Sequence, residues 1–246
     1  MTTTVEESRP ARFWTATRRQ LAGRLAFLAL VTVLTSLLYR VVCPQWVAYR
    51  DGENALARNA SAQALGDYQR AIAGGAKTRQ LPLHIAQALV KLNRPREAIP
   101  HLEPLRRSFP ADEGAANLLA GIYDGEGRPA DALHVYYDAL EMGLPRSPDV
   151  LLHQADLFRE LRRYRDAERL YLEVLATDSP VRREALHHLA ELDLWTNRPA
   201  QALARYDELL HLDPTNRAAH IGRARALTAA GRRAEAVAEY RKLLPP

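Results

Sequence analysis

A single cysteine, Cys43, stands among 246 residues, so no disulfide can close within the chain and the lone thiol says nothing of redox compartment. Lysine is nearly missing, with three against 31 arginines, and aromatic residues make up only 7%. No glycine-rich phosphate loop and no nucleophile motif occurs. No two histidines sit three or four apart, the helical spacing that could hold a metal; His187 and His188 are adjacent and diverge by about 100° on a helix. These absences remove the recognisable enzyme and metal signatures, and the expectation is a non-enzyme with no catalytic residues, no metal and no cofactor. A concentrated charge is missing too. Of 34 basic and 29 acidic residues, positions 1–43 hold six and two, which leaves 28 and 27 for the rest. A nearly neutral remainder lacks the dense positive surface that a phosphate backbone requires, so nucleic acid is not an expected partner.

One long apolar run is present, Leu25 to Tyr39, fifteen uncharged residues that as a helix reach about 22 Å. Arg24 and Arg40 can snorkel outward from its ends, which lets residues 21–43 span a bilayer core of about 30 Å. Trp14 and Trp46 lie beyond either end, where interfacial anchors belong. A cleavable signal peptide has a similar profile, but no small-x-small site follows Tyr39, and Ala55-Leu56-Ala57 would be cut deep inside the next segment. An uncleaved single-pass anchor is therefore expected. Arg9, Arg12, Arg18, Arg19 and Arg24 precede the run, against Arg50 and Arg58 shortly beyond it. That asymmetry keeps the N-terminus in the cytoplasm and sends the remainder across the inner membrane, into the periplasm of a Gram-negative cell. The expected divisions are a basic cytoplasmic tail over 1–20, a membrane anchor over 21–43 and a solenoid over 44–246.

The solenoid rests on a period. Ala64, Ala98, Ala132, Ala167, Ala202 and Ala236 recur at intervals of 34 or 35 residues. Four residues after each stands a bulky side chain (Tyr68, Leu102, Tyr136, Tyr171, Tyr206, Tyr240), and twelve before each a small one (Gly52, Ala86, Ala120, Ala155, Ala190, Ala224). The first offset is helical, and the small residues let a second helix approach closely, so each repeat reads as a helix pair. Five residues before each alanine stand Asn59, Asn93, Gly127, Arg162, Asn197 and Gly231, where the first helix must end; all but Arg162 are types that tolerate the left-handed conformation. Pro95, Pro129 and Pro199 then suit the first turn of the second helix. Six repeats follow, at about 45–78, 79–112, 113–147, 148–182, 183–216 and 217–246.

In these residues the chain resembles the tetratricopeptide repeat (TPR) family over about residues 45–246. The resemblance implies an all-α fold, in which a single transmembrane helix leads into a right-handed TPR superhelix of about six helix pairs with a concave partner-binding groove. Departures are specific. The tryptophan that the family often carries sixteen residues before the alanine is missing from every repeat. Asp193 takes a slot usually held by an aromatic, so the fifth repeat should pack differently inside. Pro100 and Pro104 fall within the second helix of repeat two, which should be bent or partly unwound. The chain closes at Pro245-Pro246, so the apolar face of the last repeat is expected to be uncovered, which a partner, self-association with a second copy or a tolerated edge would each account for. Without paired cysteines near that end, it is also unlike membrane-anchored repeat proteins that finish in a rubredoxin-like knuckle.

By the family's register the groove-facing positions include His84, Gln87, Asn117, His153, Asp156, Arg159, His187, His188, Glu191 and Trp195. His84, His153 and His188 share one offset, fourteen before their alanine. As half-exposed polar rings they need no role; as a partner-binding set they would give an affinity that changes between about pH 5 and 8. The expected function is a membrane-tethered scaffold that binds protein partners of the inner membrane or periplasm while a cell-envelope complex assembles, with exopolysaccharide synthesis and secretion the favoured setting. Alternatives are assembly of another periplasmic system such as cytochrome c maturation, or direct glycan binding with Trp46, Tyr49 and Trp195 stacking on sugar rings.

Overall fold

The computed structural model describes the backbone of residues 10–243 and the side chains of residues 24–243. Trp14, Arg9, Arg12, Arg18 and Arg19, on which the orientation argument draws, and the closing Pro245-Pro246 lie outside those described side chains. Among the described residues the chain is entirely helical, and it divides into two compact bodies at Leu81/Pro82.

The first body begins with α1 (Pro10–Val42). Its stretch Arg24–Val42, of mean hydropathy 2.1, is wholly unburied and is the one described helix long and apolar enough to cross a membrane; a signal sequence near an N-terminus has the same character. Thr32, Thr35 and Ser36 would burden that apolar helix, but each hydroxyl donates to a backbone carbonyl three or four residues back, at 2.7–3.0 Å. α2 (Pro44–Ala57) and α3 (Ser61–Ala73) form the first repeat. They approach closely because Gly52 lies under the Tyr68 ring, where a Cβ would come within 2.6 Å of Cε1. Burial in this contact, with Glu53 nearby, pushes the Tyr68 hydroxyl up to about 12.

The second body is five helix pairs, α4 (Leu81–Lys91) with α5 (Pro95–Ser108), α6 (Glu113–Gly125) with α7 (Pro129–Glu141), α8 (Pro148–Glu160) with α9 (Tyr164–Leu175), α10 (Arg182–Trp195) with α11 (Pro199–Leu212), and α12 (Arg217–Ala229) with α13 (Arg233–Arg241). All the anchor alanines are buried, as are Leu102, Tyr136, Tyr171 and Tyr206 four residues after theirs. Tyr240, in the same slot, is 41% exposed.

The turns follow the sequence pattern with one addition. Asn59, Asn93, Gly127, Asn197 and Gly231 all have positive φ, and so does Arg162, at 58°. The arginine is forced there because the repeat needs a left-handed residue to end α8 and the alternative is loss of the turn. The next residue is an arginine in five of the turns, and three of these, Arg94, Arg128 and Arg232, reach forward to an acid at 2.6 Å (Glu97, Asp131, Glu235), as Arg163 does to Asp166 at 2.8 Å. In repeat five the forward position is Gln201, and Arg198 turns instead to Glu168 at 2.7 Å and Asp193 at 3.0 Å.

Two expectations about packing meet different outcomes. α5 is not unwound, running as one helix from Pro95 to Ser108. Pro100 and Pro104 are exposed, and the carbonyls they deprive of a donor belong to the exposed Arg96 and Pro100 itself, so solvent can take the missing hydrogen bonds. The altered packing of repeat five is present. Asp193 is 0% exposed and replaces an aromatic contact with an ionic one, its Oδ2 accepting the Arg205 Nε–H at 2.6 Å while Arg198 Nη2 stands 3.0 Å from Oδ1, out of line for a hydrogen bond. The preceding repeat fills the same two slots with buried Phe158 and Leu170.

Candidate partner-binding groove

The shared offset of the histidines has a packing cause. In the fourth and fifth repeats the slot fourteen before the alanine faces the buried tyrosine of the preceding repeat, so a ring there lies on a ring. His153 stacks on Tyr136 with centroids 6.4 Å apart and an angle of 14°, and His188 meets Tyr171 edge-on at 6.0 Å. In the last repeat the slot holds Gly222, and Tyr206 moves into the vacated space; a Cβ on Gly222 would overlap its ring. His84 is half-buried on α4, as is Gln87. Asn117 is drawn inward as well, accepting the Tyr136 hydroxyl at 2.9 Å.

α8 and α10 bring most of the remaining groove residues together. Asp156 Oδ1 accepts the Tyr171 hydroxyl at 2.6 Å and lies 3.3 Å from Arg159 Nη2. His188 Nδ1 stands 2.7 Å from the same oxygen but out of line for a hydrogen bond, so that contact acts through charge when the imidazole is protonated. Burial alone would raise the Asp156 carboxyl; contact with His188, Tyr171 and Arg159 outweighs it and holds the group below the usual carboxylate range. For the Tyr171 hydroxyl, burial and Asp156 act together and push it far up. Arg159 lies over the Trp195 indole, 5.4 Å from the ring centroid, and Trp195 is 50% exposed. With Glu160, Arg162 and Tyr164 these two line an open pocket of about 320 Å³.

His187 points the other way, edge-on to Tyr206 at 6.0 Å and 4.0 Å from Glu191. Burial depresses its imidazole below the ordinary value despite Glu191. Three residues escaped the sequence reading. Arg225 lies 3.9 Å from Glu191 and occupies the same slot as Gln87, Asp156 and Glu191, so continuing the register by one repeat would have found it. Asp124 and Glu160 meet as two carboxyls from successive repeats, and burial together with Asp124 raises the Glu160 carboxyl. No sequence signal marks that pair, because it depends on how far one repeat is rotated from the next. Among the described residues no group of three or more potential ligands is arranged to hold a metal ion.

Successive helix pairs with a mixed polar inner face are the architecture of a protein-interaction scaffold. Tetratricopeptide repeat profiles match residues 83–150, 150–183 and 196–246. The chain belongs to the tetratricopeptide repeat family. No curated protein matches it in sequence. Among solved structures, a tetratricopeptide repeat protein from Parabacteroides merdae is 17% identical, with TM-score 0.69 over 81% of this chain and 78% of that one. PilW, described as a type IV pilus biogenesis factor, is 16% identical, with TM-score 0.70 over 82% and 92%. The pilF protein of Pseudomonas aeruginosa is 22% identical, with TM-score 0.58 over 66% and 73%. At these identities the likeness is one of fold.

Proposed function

We propose that the protein is a membrane-tethered, non-enzymatic scaffold whose groove over α8 and α10 binds a protein partner during assembly of a cell-envelope complex. The observation that carries the reading is the unburied apolar stretch Arg24–Val42 leading into TPR helix pairs. In this reading residues 21–43 anchor the chain in the inner membrane, the N-terminus stays in the cytoplasm and the repeats stand in the periplasm. Tethering confines scaffold and partner to one surface and raises their effective concentration, so modest groove affinity suffices. The structural likeness to PilW, described as a type IV pilus biogenesis factor, supports envelope assembly as a setting for such a fold. Exopolysaccharide synthesis and secretion is the particular pathway proposed. Trp195, exposed over Arg159 in an open pocket, is the contact expected to dominate partner binding.

The test is in native membranes. A photo-crosslinking residue at His153 or Glu191 should capture a membrane or periplasmic protein, and Trp195→Ala should reduce the yield several-fold. Protease added from the periplasmic side should digest the repeats. Their protection, or crosslinks to cytosolic proteins alone, would refute the topology and the partner class together. Glycan binding by the repeats, with no crosslinked protein, would favour the sugar-binding alternative.

A further inference from the structure

Repeat four ends its first helix in a way that no other repeat does. The slot five before the anchor alanine holds asparagine or glycine in the other repeats, and here it holds Arg162, at φ 58°. The turn requires the left-handed conformation but not a side chain that resists it, and asparagine or glycine would adopt it at less cost. The guanidinium gives the fold nothing in return. It is exposed and, among the described residues, meets no acid and no carbonyl, whereas its neighbour Arg163 is engaged with Asp166 at 2.8 Å and lies over the Phe158 ring at 4.5 Å.

A second departure from the repeat pattern falls beside the first. Seven before the alanine the repeats carry Ala57, Lys91, Gly125, Glu160, Trp195 and Ala229, so packing asks for no aromatic in that slot, and Trp195 leaves 50% of itself in solvent. Arg162 and Trp195 meet in the open pocket of about 320 Å³, with Arg159, Glu160 and Tyr164. Arg159 is already occupied, over the indole at 5.4 Å and with Nη2 3.3 Å from Asp156. Among the described residues Glu160 forms no ion pair with either arginine; it faces Asp124, and burial together with that carboxyl raises its own. One guanidinium is thus left free beside one exposed indole. A backbone outlier whose side chain stabilises nothing in its own chain belongs where binding rather than folding requires it. The planar donors of a guanidinium match a carboxylate in a bidentate pair, and the indole offers an apolar face to whatever adjoins that carboxylate.

We propose, on the reading of α8 and α10 as a protein-binding groove, that this pocket selects an acidic segment of the partner. A glutamate or aspartate carboxylate pairs with Arg162 while an adjoining apolar side chain packs on Trp195.

The full chain in nanodiscs would be titrated with the blocked peptide acetyl-Gly-Leu-Glu-Gly-amide and with its glutamine counterpart, and binding followed by saturation-transfer NMR. The glutamate peptide should bind about fivefold more tightly, the modest factor of an ion pair at an open site. Arg162→Asn should erase that preference and leave the glutamine peptide unaffected, while Tm rises by about 2–4 °C as the left-handed arginine is relieved. Arg162→Lys, which keeps both the charge and the strain, should retain part of the preference. Glu160→Gln should strengthen it by removing a competing acid, and Trp195→Ala should weaken both peptides alike. Equal affinity of the two peptides for the native chain, or a preference that survives Arg162→Asn, would overturn the proposal. So would no saturation by about 10 mM glutamate peptide, or a uronic-acid trisaccharide that binds more tightly than the peptide. In native membranes Arg162→Asn should lower the crosslink yield from Glu191 several-fold. Crosslinks that fall in Trp195→Ala but persist in Arg162→Asn would leave the groove reading standing and refute this one.

Discussion

Removing the Asp193 carboxylate tests whether the ionic pair holds repeat five together in place of an aromatic. In the native fold Asp193 is 0% exposed, with Arg205 Nε at 2.6 Å and Arg198 Nη2 at 3.0 Å. Loss of one partner from a buried pair costs about 3–5 kcal/mol, because the other charge is stranded. Arg205 and Arg198 keep 21% and 29% of their side chains in solvent, and Arg198 retains Glu168 at 2.7 Å, which places Asp193→Ala near the lower bound. About 3 kcal/mol corresponds to a fall of about 6–12 °C in Tm for a body of this size. The double variant Asp193→Phe with Arg205→Leu copies Phe158 and Leu170 of the preceding repeat and should lie within about 1 kcal/mol of the native protein, or above it. Guanidinium denaturation followed by far-UV circular dichroism gives the energies. Amide exchange over α10 and α11 localises them, which matters in a repeat array that can unfold in parts. The reasoning is refuted if Asp193→Ala costs less than about 1 kcal/mol, or if the double variant is destabilised by the sum of the two single ones.

Other perturbations have opposite signs. Gly222→Ala, which in an ordinary helix interior gains about 1 kcal/mol, should instead destabilise by about 1–2 kcal/mol as its Cβ meets the Tyr206 ring, and Tyr206→Leu should rescue it in a thermal melt. Arg162→Gly should stabilise by about 1 kcal/mol by relieving a left-handed arginine, whereas Asn197→Gly should be nearly neutral by the same denaturation assay. Replacing Pro100 and Pro104 by alanine should stabilise the unbroken α5; gained stability with lost assembly in cells would assign that face a docking role. Stability should fall in two acid steps when urea midpoints are measured against pH. The depressed His187 makes the unfolded chain bind its proton first, so stability is full above about pH 6.5 and is lost as pH falls below that toward the lower folded value. The depressed Asp156 contributes stability above about pH 4 that disappears on further acidification. His187→Gln should remove the upper step alone, and an unchanged profile would contradict the burial argument.

The helix pairs and their turns were legible in the chain itself, because these depend on local rules repeated six times. Alanine with a bulky residue four later defines a buried helical seam, and Asn59 or Gly127 at a helix end declares a left-handed turn. Even the odd residue in repeat five was visible as a break in the pattern, although its remedy was not. That Asp193 would find Arg205 and Arg198, that His153 and His188 would lie on the tyrosines of the repeats before them, and that Asp124 would face Glu160 all depend on distances between helices. Such distances follow from side-chain volumes packed together, and no residue's own propensity encodes them. Asp67 shows the division most clearly. The sequence says only that Asp67 stands three after its alanine, whereas the packed helices bury it to 1% exposure, with Arg70 on one carboxylate oxygen and no hydrogen-bond partner on the other.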